Sequence, residues 1–236
     1  MVDLSFFDRY SLNKETHVYS NVELPRNKYT SVTSLISKYK TPFNAKGAAI
    51  GMKKYKKDAR SVEEIMLSFE QSREKGTYIH NIIEDKMKGY SFEYPLYKGT
   101  QAVFDKFLKN IDLNVLIPVA SELIVGDDNL LLCGTIDQLF FNSNTGMYEI
   151  WDWKTNEKFT TSSKYKFKKP ISFLESSHFN NYSIQLLLYK RLIEQNSDIK
   201  IGACKIFHIN SKDYTIHKVI MDEKIIDLLI RDYNAK

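Results

Sequence analysis

Apolar residues recur at helical spacing in the first half of the chain and at strand spacing in the middle. Tyr29 to Lys40 opens with Ser/Thr capping residues and then spaces Val32, Leu35 and Ile36 on one helical face. Residues 61–89 predict a long helix. Ser61 with Glu64 gives a capping-box start, and Ile65, Phe69, Ile79, Ile82, Ile83 and Met87 form the stripe, with Gly76-Thr77 as a candidate interruption. Residues 100–110 predict a second amphipathic helix on Val103, Phe104, Phe107 and Leu108.

The texture then changes to β-branched and aromatic runs broken by Asn/Asp/Gly turns. Residues 119–125, a turn at 126–129, residues 130–141, a turn at 142–146 and residues 147–154 predict a three-strand meander. A basic, Ser-rich loop spans 155–178, a helix 181–195, a strand pair 203–209 and 214–220, and a final helix 222–235. Residues 1–28 read as irregular and polar with a turn at Pro25, and residues 45–51 as a small-residue stretch. The fold class is therefore α+β: a mixed β-sheet built on a three-strand meander, flanked by helices, with no internal repeat.

Composition narrows the class. With 43% hydrophobic and 27% charged residues in a chain of 236, a disordered tail, a collagen-like fibre and a coiled-coil rod are excluded. Cys133 and Cys204, both in apolar runs, are too few for a disulfide framework or a four-thiolate metal site. No stretch approaches 18 apolar residues, and the N-terminus lacks a signal-type apolar core, so a soluble, cytoplasmic protein is expected. The net charge of +5 is concentrated locally. Lys53, Lys54, Lys56 and Lys57 cluster around Tyr55, and Lys164, Lys166, Lys168 and Lys169 around Tyr165 and Phe167. Cations interleaved with rings suit a phosphate backbone bearing stackable bases, which permits a nucleic-acid partner without requiring one.

The chemistry centres on two strands. Asp152 and Lys154 share one face of a strand whose neighbours are Ile150, Trp151 and Trp153, where charged groups are rare unless paired or bound to a metal. Asp137 lies in the preceding apolar strand. Depending on whether the 142–146 turn uses five or four residues, Asp152 falls opposite residue 136 or 137, about 5 Å across. Two carboxylates so placed repel, and a divalent cation with a taste for hard oxygen ligands, Mg²⁺ or Mn²⁺, relieves the conflict. Gln185 and Tyr189, four apart, put polar groups on a face otherwise made of leucines. His80, with Glu84 one turn later, offers an imidazole.

The ordered set Gly76-Thr77-x-x-His80, Gly134-Thr135-Ile136-Asp137, Asp152-Trp153-Lys154-Thr155 and Gln185-x-x-x-Tyr189 resembles the PD-(D/E)XK nuclease superfamily, and most nearly its RecB-like exonuclease branch. That branch includes phage exonucleases and a mitochondrial single-strand DNA exonuclease. The resemblance implies an α/β/α restriction-endonuclease-like core over residues 61–236, and leaves residues 1–60 as an N-terminal helical or irregular extension. It implies that His80, Asp137 and Asp152 ligate Mg²⁺ or Mn²⁺, with the Trp153 carbonyl as a further candidate. Lys154 becomes the catalytic lysine beside Asp137 and Asp152, and Gln185 and Tyr189 bind substrate or orient the site. Glu122 and Glu84 rank lower, because the expected meander register sets Glu122 about four residues, roughly 13 Å, from Asp137. Two cysteines exclude the iron–sulfur subgroup, and no helicase motor motif is present.

The function so implied is a Mg²⁺-dependent DNA exonuclease acting on single-stranded or frayed ends in replication, recombination or repair. Its partners would be DNA and proteins of those processes, with no membrane, and its setting a phage or other low-GC source, in the host cytoplasm if viral. The alternatives are a structure- or sequence-specific endonuclease on the same core, and a catalytically inactive DNA-binding or assembly protein.

Overall fold

The computed structural model describes residues 3–235; the first two residues of the N-terminal extension and the last residue of the chain lie outside the described residues. A short 3-10 helix at Ser5–Arg9 leads into a hairpin of β1 (Tyr10–Asn13) and β2 (Val18–Asn21). Then come β3 (Thr30–Ser31), α1 (Val32–Lys38), α2 (Ala45–Tyr55), α3 (Val62–Met87) and α4 (Lys98–Asn110). The meander follows as β4 (Leu116–Asp127), β5 (Leu132–Asn142) and β6 (Met147–Lys154). The chain ends with α5 (His178–Asn196), β7 (Ile201–Ile209), β8 (Tyr214–Lys218) and α6 (Lys224–Asn234).

Two elements depart from the sequence expectation. Residues 10–21 form a hairpin rather than irregular chain: Tyr10 and Tyr19 bury their rings in the main core. Residues 45–55 form a helix because Asn44 caps it, its Oδ1 accepting from Gly47 N at 2.8 Å. The small residues there allow the helix without giving it an apolar stripe to read. The long helix α3 starts at the predicted capping box, which closes in both directions between Ser61 and Glu64. It runs through Gly76 unbroken. A Cβ there would sit 3.3 Å from Thr155 Oγ1, so the glycine serves close approach to the end of β6.

The six-stranded sheet is mixed. β5 pairs antiparallel with β4 along one edge and with β6 along the other, β6 runs parallel to β7 after the α5 crossover, and β8 closes the far edge antiparallel to β7. β3 adds a two-residue parallel pairing at the start of β5. Helices cover both faces, so the α/β/α layering expected from the motifs is present. On one side α1, α5 and α6 pack Leu35, Leu188 and Leu229 with Ile136, Ile150 and Ile206. On the other, α3 and α4 pack Ile79, Phe104 and Phe107 with Trp151, Trp153 and Phe207. Strand alternation therefore sends Trp151 and Trp153 toward α3 and α4, and Ile150 and Asp152 toward α5. Among the described residues no helix is long and apolar enough to cross a membrane.

Candidate active site

The site forms where β5 and β6 part. Their ladder runs from Asn142↔Met147 to Gln138↔Trp151, which fixes a four-residue turn, and one further step in the same register sets Asp137 across from Asp152. There the strands stop exchanging backbone hydrogen bonds, and the Asp137 carboxylate fills the place of the missing acceptor: its Oδ2 accepts from Trp153 N at 2.7 Å. The fork thus brings the carboxylate of one strand to the backbone of the other.

Glu122 corrects the sequence expectation. The β4–β5 register pairs Ser121 with Gln138 and Leu123 with Ile136, so Glu122 faces Asp137 directly instead of lying 13 Å along the sheet. The turn joining these strands comes two residues later than the sequence suggests. Asp127 Oδ1 accepts from Asn129 N at 2.9 Å and Leu130 N at 2.8 Å, so Asp127↔Leu132 closes the hairpin. A two-residue displacement of the turn shifts the register by four. Glu122 also has φ 52, a left-handed conformation in mid-strand that breaks the regular alternation of side chains. Ligand atoms of His80, Glu122 and Asp137 consequently lie within 4.8 Å of one another. His80 Nδ1 is 3.7 Å from Asp137 Oδ2.

Asp152 stands beside this trio. Its Oδ1 accepts from Gln185 Nε2 at 3.3 Å, and Lys154 Nζ lies 2.6 Å from its Oδ2. That oxygen is nonetheless buried without a hydrogen bond of acceptable geometry. Gln185 also donates to the Tyr189 hydroxyl at 3.1 Å, and both side chains are buried. Gln185 thus reaches the Asp152 carboxylate, and Tyr189 holds Gln185. Gly134 makes room for this, since a Cβ there would lie 2.3 Å from Tyr189 Cε1. Glu84 pairs with Lys88 one turn along α3 and faces the trio only through space.

The electrostatics show a strained cluster. Burial pushes the Glu122 carboxyl up to about 7, helped by the nearby Asp137 and Glu84 charges. Burial also raises Asp137, against the pull of Lys154. Asp152 rises to about 6, because burial and the Asp137 charge oppose what Lys154 offers. Lys154 is itself desolvated, yet two carboxylates hold its ammonium firmly charged, and it lies 4.7 Å from the centre of the Tyr182 ring. His80 falls to about 4 through burial and the Lys154 charge, so its ring is neutral near pH 7 and free to offer a lone pair. Asp137 and Asp152 share the Lys154 ammonium, while Glu122 has only the weaker pull of Lys14 and Lys88. That imbalance and a donor set of oxygens plus one imidazole fit a hard divalent cation.

An open cleft of about 400 Å³ leads to the cluster, lined by Arg73, Lys75 and His80 of α3, Lys154 and Thr155 at the end of β6, and Tyr182 of α5. The loop 155–178 flanks it and is pinned by Phe167, which is buried, and by backbone bonds from Phe167 to Leu174 and from Lys168 to Tyr39. The Lys164, Lys166, Lys168 and Lys169 side chains remain exposed on this loop.

No family model matches the chain, and no curated protein sequence matches it. Among the solved structures that are similar are two at low identity. One is an alkaline exonuclease from Laribacter hongkongensis, 9% identical, with 85% of this chain and 88% of that chain covered and a TM-score of 0.36. The other is described as "Putative exonuclease" from Eubacterium rectale, 14% identical, with 95% and 87% covered and a TM-score of 0.41.

Proposed function

We propose that this chain is a metal-dependent DNA nuclease of the PD-(D/E)XK kind, with residues 61–236 as its catalytic core, and that it degrades DNA from single-stranded or frayed ends. The observation that carries the reading is the carboxylate cluster of Glu122, Asp137 and Asp152, joined by the neutral His80 imidazole and the Lys154 ammonium, both of which line an open cleft. A purely structural cluster would pair its charges. His80, Glu122 and Asp137 are the residues that would hold the cation, with Asp152 adjoining. Bound there, the cation supplies Lewis-acid polarisation of a phosphate oxygen and acidification of a water.

The protein's own groups account for the rest. Lys154, kept as an ammonium by Asp152 and Asp137, donates to a phosphate oxygen or holds the attacking water, and offsets charge as it develops on the phosphorus. Gln185 and Tyr189 fix the rotamer of Asp152. Arg73 on the cleft wall attracts the backbone of the strand, beside Lys75, which pairs with Glu157 at 3.0 Å, and the exposed lysines of loop 155–178 extend that field. The proposed partner is DNA.

End-labelled single- and double-stranded DNA, incubated with Mg²⁺ or with EDTA, tests the proposal beside Lys154→Ala and Asp137→Asn. The expected outcome is Mg²⁺-dependent release of short products by the wild type alone. Equal activity in wild type and variants would remove these residues from the site. Cutting of a circular single strand would replace the exonuclease assignment with an endonuclease.

A further inference from the structure

A second concavity lies up the same helix from the cleft. Phe69, Arg73, Gly76 and His80 follow one another at i, i+4, i+7 and i+11 along one face of α3. His80 ends that line in the carboxylate cluster. Phe69 and Arg73 begin it, and with Phe43, Ala45 and Met66 they wall a pocket of about 290 Å³. Arg73 and Ser72 line both this pocket and the cleft, so the two cavities adjoin. Seven residues separate Arg73 from His80, about 10 Å along the axis, which is one or two nucleotides of a bound strand.

The pocket is apolar and its largest ring is open to solvent. Phe43 is 72% exposed, and it meets Phe69 edge-on with centroids 5.6 Å apart, which leaves a ring face free. The helix α2, whose first residue Ala45 lines the pocket, carries Lys46, Lys53 and Lys54, with Lys56 and Lys57 just after it and no acidic residue over 45–57. Glu70 on the rim approaches Arg73 only at 3.9 Å with both side chains exposed, a pair that contributes little and yields the guanidinium to a phosphate. An exposed ring in a concavity, bordered by the Arg73 guanidinium and adjoining the cleft that leads toward His80, matches one occupant: a base with its phosphate.

We infer that the Phe43–Phe69 pocket of α2 and α3 receives one unpaired base of the strand being cleaved, stacked on Phe43, with Arg73 on the phosphate between that base and the carboxylate cluster. This deepens the nuclease reading and rests on it for the direction of the strand. A concavity of about 290 Å³ walled by two rings suits a single base freed from its pair. The pocket therefore selects single-stranded or frayed ends by shape, independently of sequence.

The test separates base binding from hydrolysis. Binding of oligothymidylate and of an abasic strand of equal length is measured for wild type, Phe43→Ala and Phe43→Trp without divalent cation, and hydrolysis of single-stranded and blunt duplex ends is measured with Mg²⁺. Phe43 is exposed, so its truncation spares the core. The wild type is expected to prefer the base-bearing strand, and Phe43→Ala to lose about tenfold of that preference, the equivalent of one stacked base. Phe43→Trp should keep it. In hydrolysis, Phe43→Ala should raise KM for single-stranded ends while leaving kcat and blunt-end cutting within a few-fold. Unchanged base preference and unchanged KM in Phe43→Ala would overturn the pocket while leaving the nuclease intact. Loss of base preference in a protein that hydrolyses nothing would keep the pocket and overturn the nuclease.

Discussion

Strand β6 carries two buried carboxylates three residues apart, and their fates differ. Glu149, 5% exposed, accepts from Asn142 Nδ2 at 2.8 Å and Trp151 Nε1 at 2.9 Å, and pairs with Lys205 Nζ at 2.7 Å. Burial alone would raise its carboxyl, but these three donors hold it below the ordinary glutamate range. Asp152, 1% exposed on the opposite face, has a long bond from Gln185, one ion pair and a repelling neighbour in Asp137. It is pushed up to about 6. Neither reaches solvent freely, Asp152 lies the deeper, and it has the poorer compensation. A fold can satisfy an acid on this strand when stability is all that is asked, so the incomplete satisfaction of Asp152, Asp137 and Glu122 marks the place where an outside group is meant to complete the count.

That contrast can be broken most forcefully by substitution at Lys154. Lys154→Ala should lower DNA hydrolysis about a hundredfold or more, the loss expected when one donor to developing charge is removed. Gln185→Leu should follow with about a ten- to hundredfold fall in kcat at nearly constant KM, since Gln185 acts through Asp152. Its recovery in Gln185→Asn under raised Mn²⁺ would identify positioning as the cause. Glu149→Gln should leave hydrolysis within a few-fold but cost about 1–3 kcal/mol of stability, because Lys205 loses its partner in a half-buried setting. Thermal melting reads this as a drop of about 3–10 °C.

The two acids also separate in pH. Glu149 is held low in the folded state, so its stabilisation is present above the ordinary glutamate pKa of about 4.3 and fades as pH falls below it; the wild type and Glu149→Gln should converge in stability toward pH 3. Glu122 is raised to about 7, so the folded state binds more protons than the unfolded one between about pH 4.3 and 7, and stability falls as pH rises through that window. Glu122→Gln, melted without divalent cation, should therefore gain about 1–2 kcal/mol on the wild type between pH 5 and pH 8. A parallel pair of curves would place Glu122 in solvent.

What the sequence revealed tracks how local the determinant is. Asp152 and Lys154 were legible because alternation within one strand places them, and Asp137 because a four-residue turn ties β5 to β6. Gln185 and Tyr189 stand out as polar groups on a leucine face, though only the structure shows that Gln185 reaches Asp152 and that Tyr189 accepts from Gln185. Glu122 is misplaced by the sequence because its position depends on which Asp caps the turn that follows it and on a left-handed residue inside a strand, neither of which periodicity records. Helix α2 was missed for a related reason: its cap at Asn44 is one residue, and the helix buries only Ala49. The pairing of β3 with β5 joins residues about a hundred positions apart, beyond any local signal.

The central claim is that the under-compensated carboxylates form a divalent-cation site and Glu149 does not. Calorimetric titration of Mn²⁺ into the wild type, Asp137→Asn and Glu149→Gln tests it without reference to substrate. One ion per chain in the wild type and in Glu149→Gln, with binding at least about tenfold weaker in Asp137→Asn, is the predicted result. Absence of Mn²⁺ binding by the wild type, or equal binding by Asp137→Asn, would contradict it.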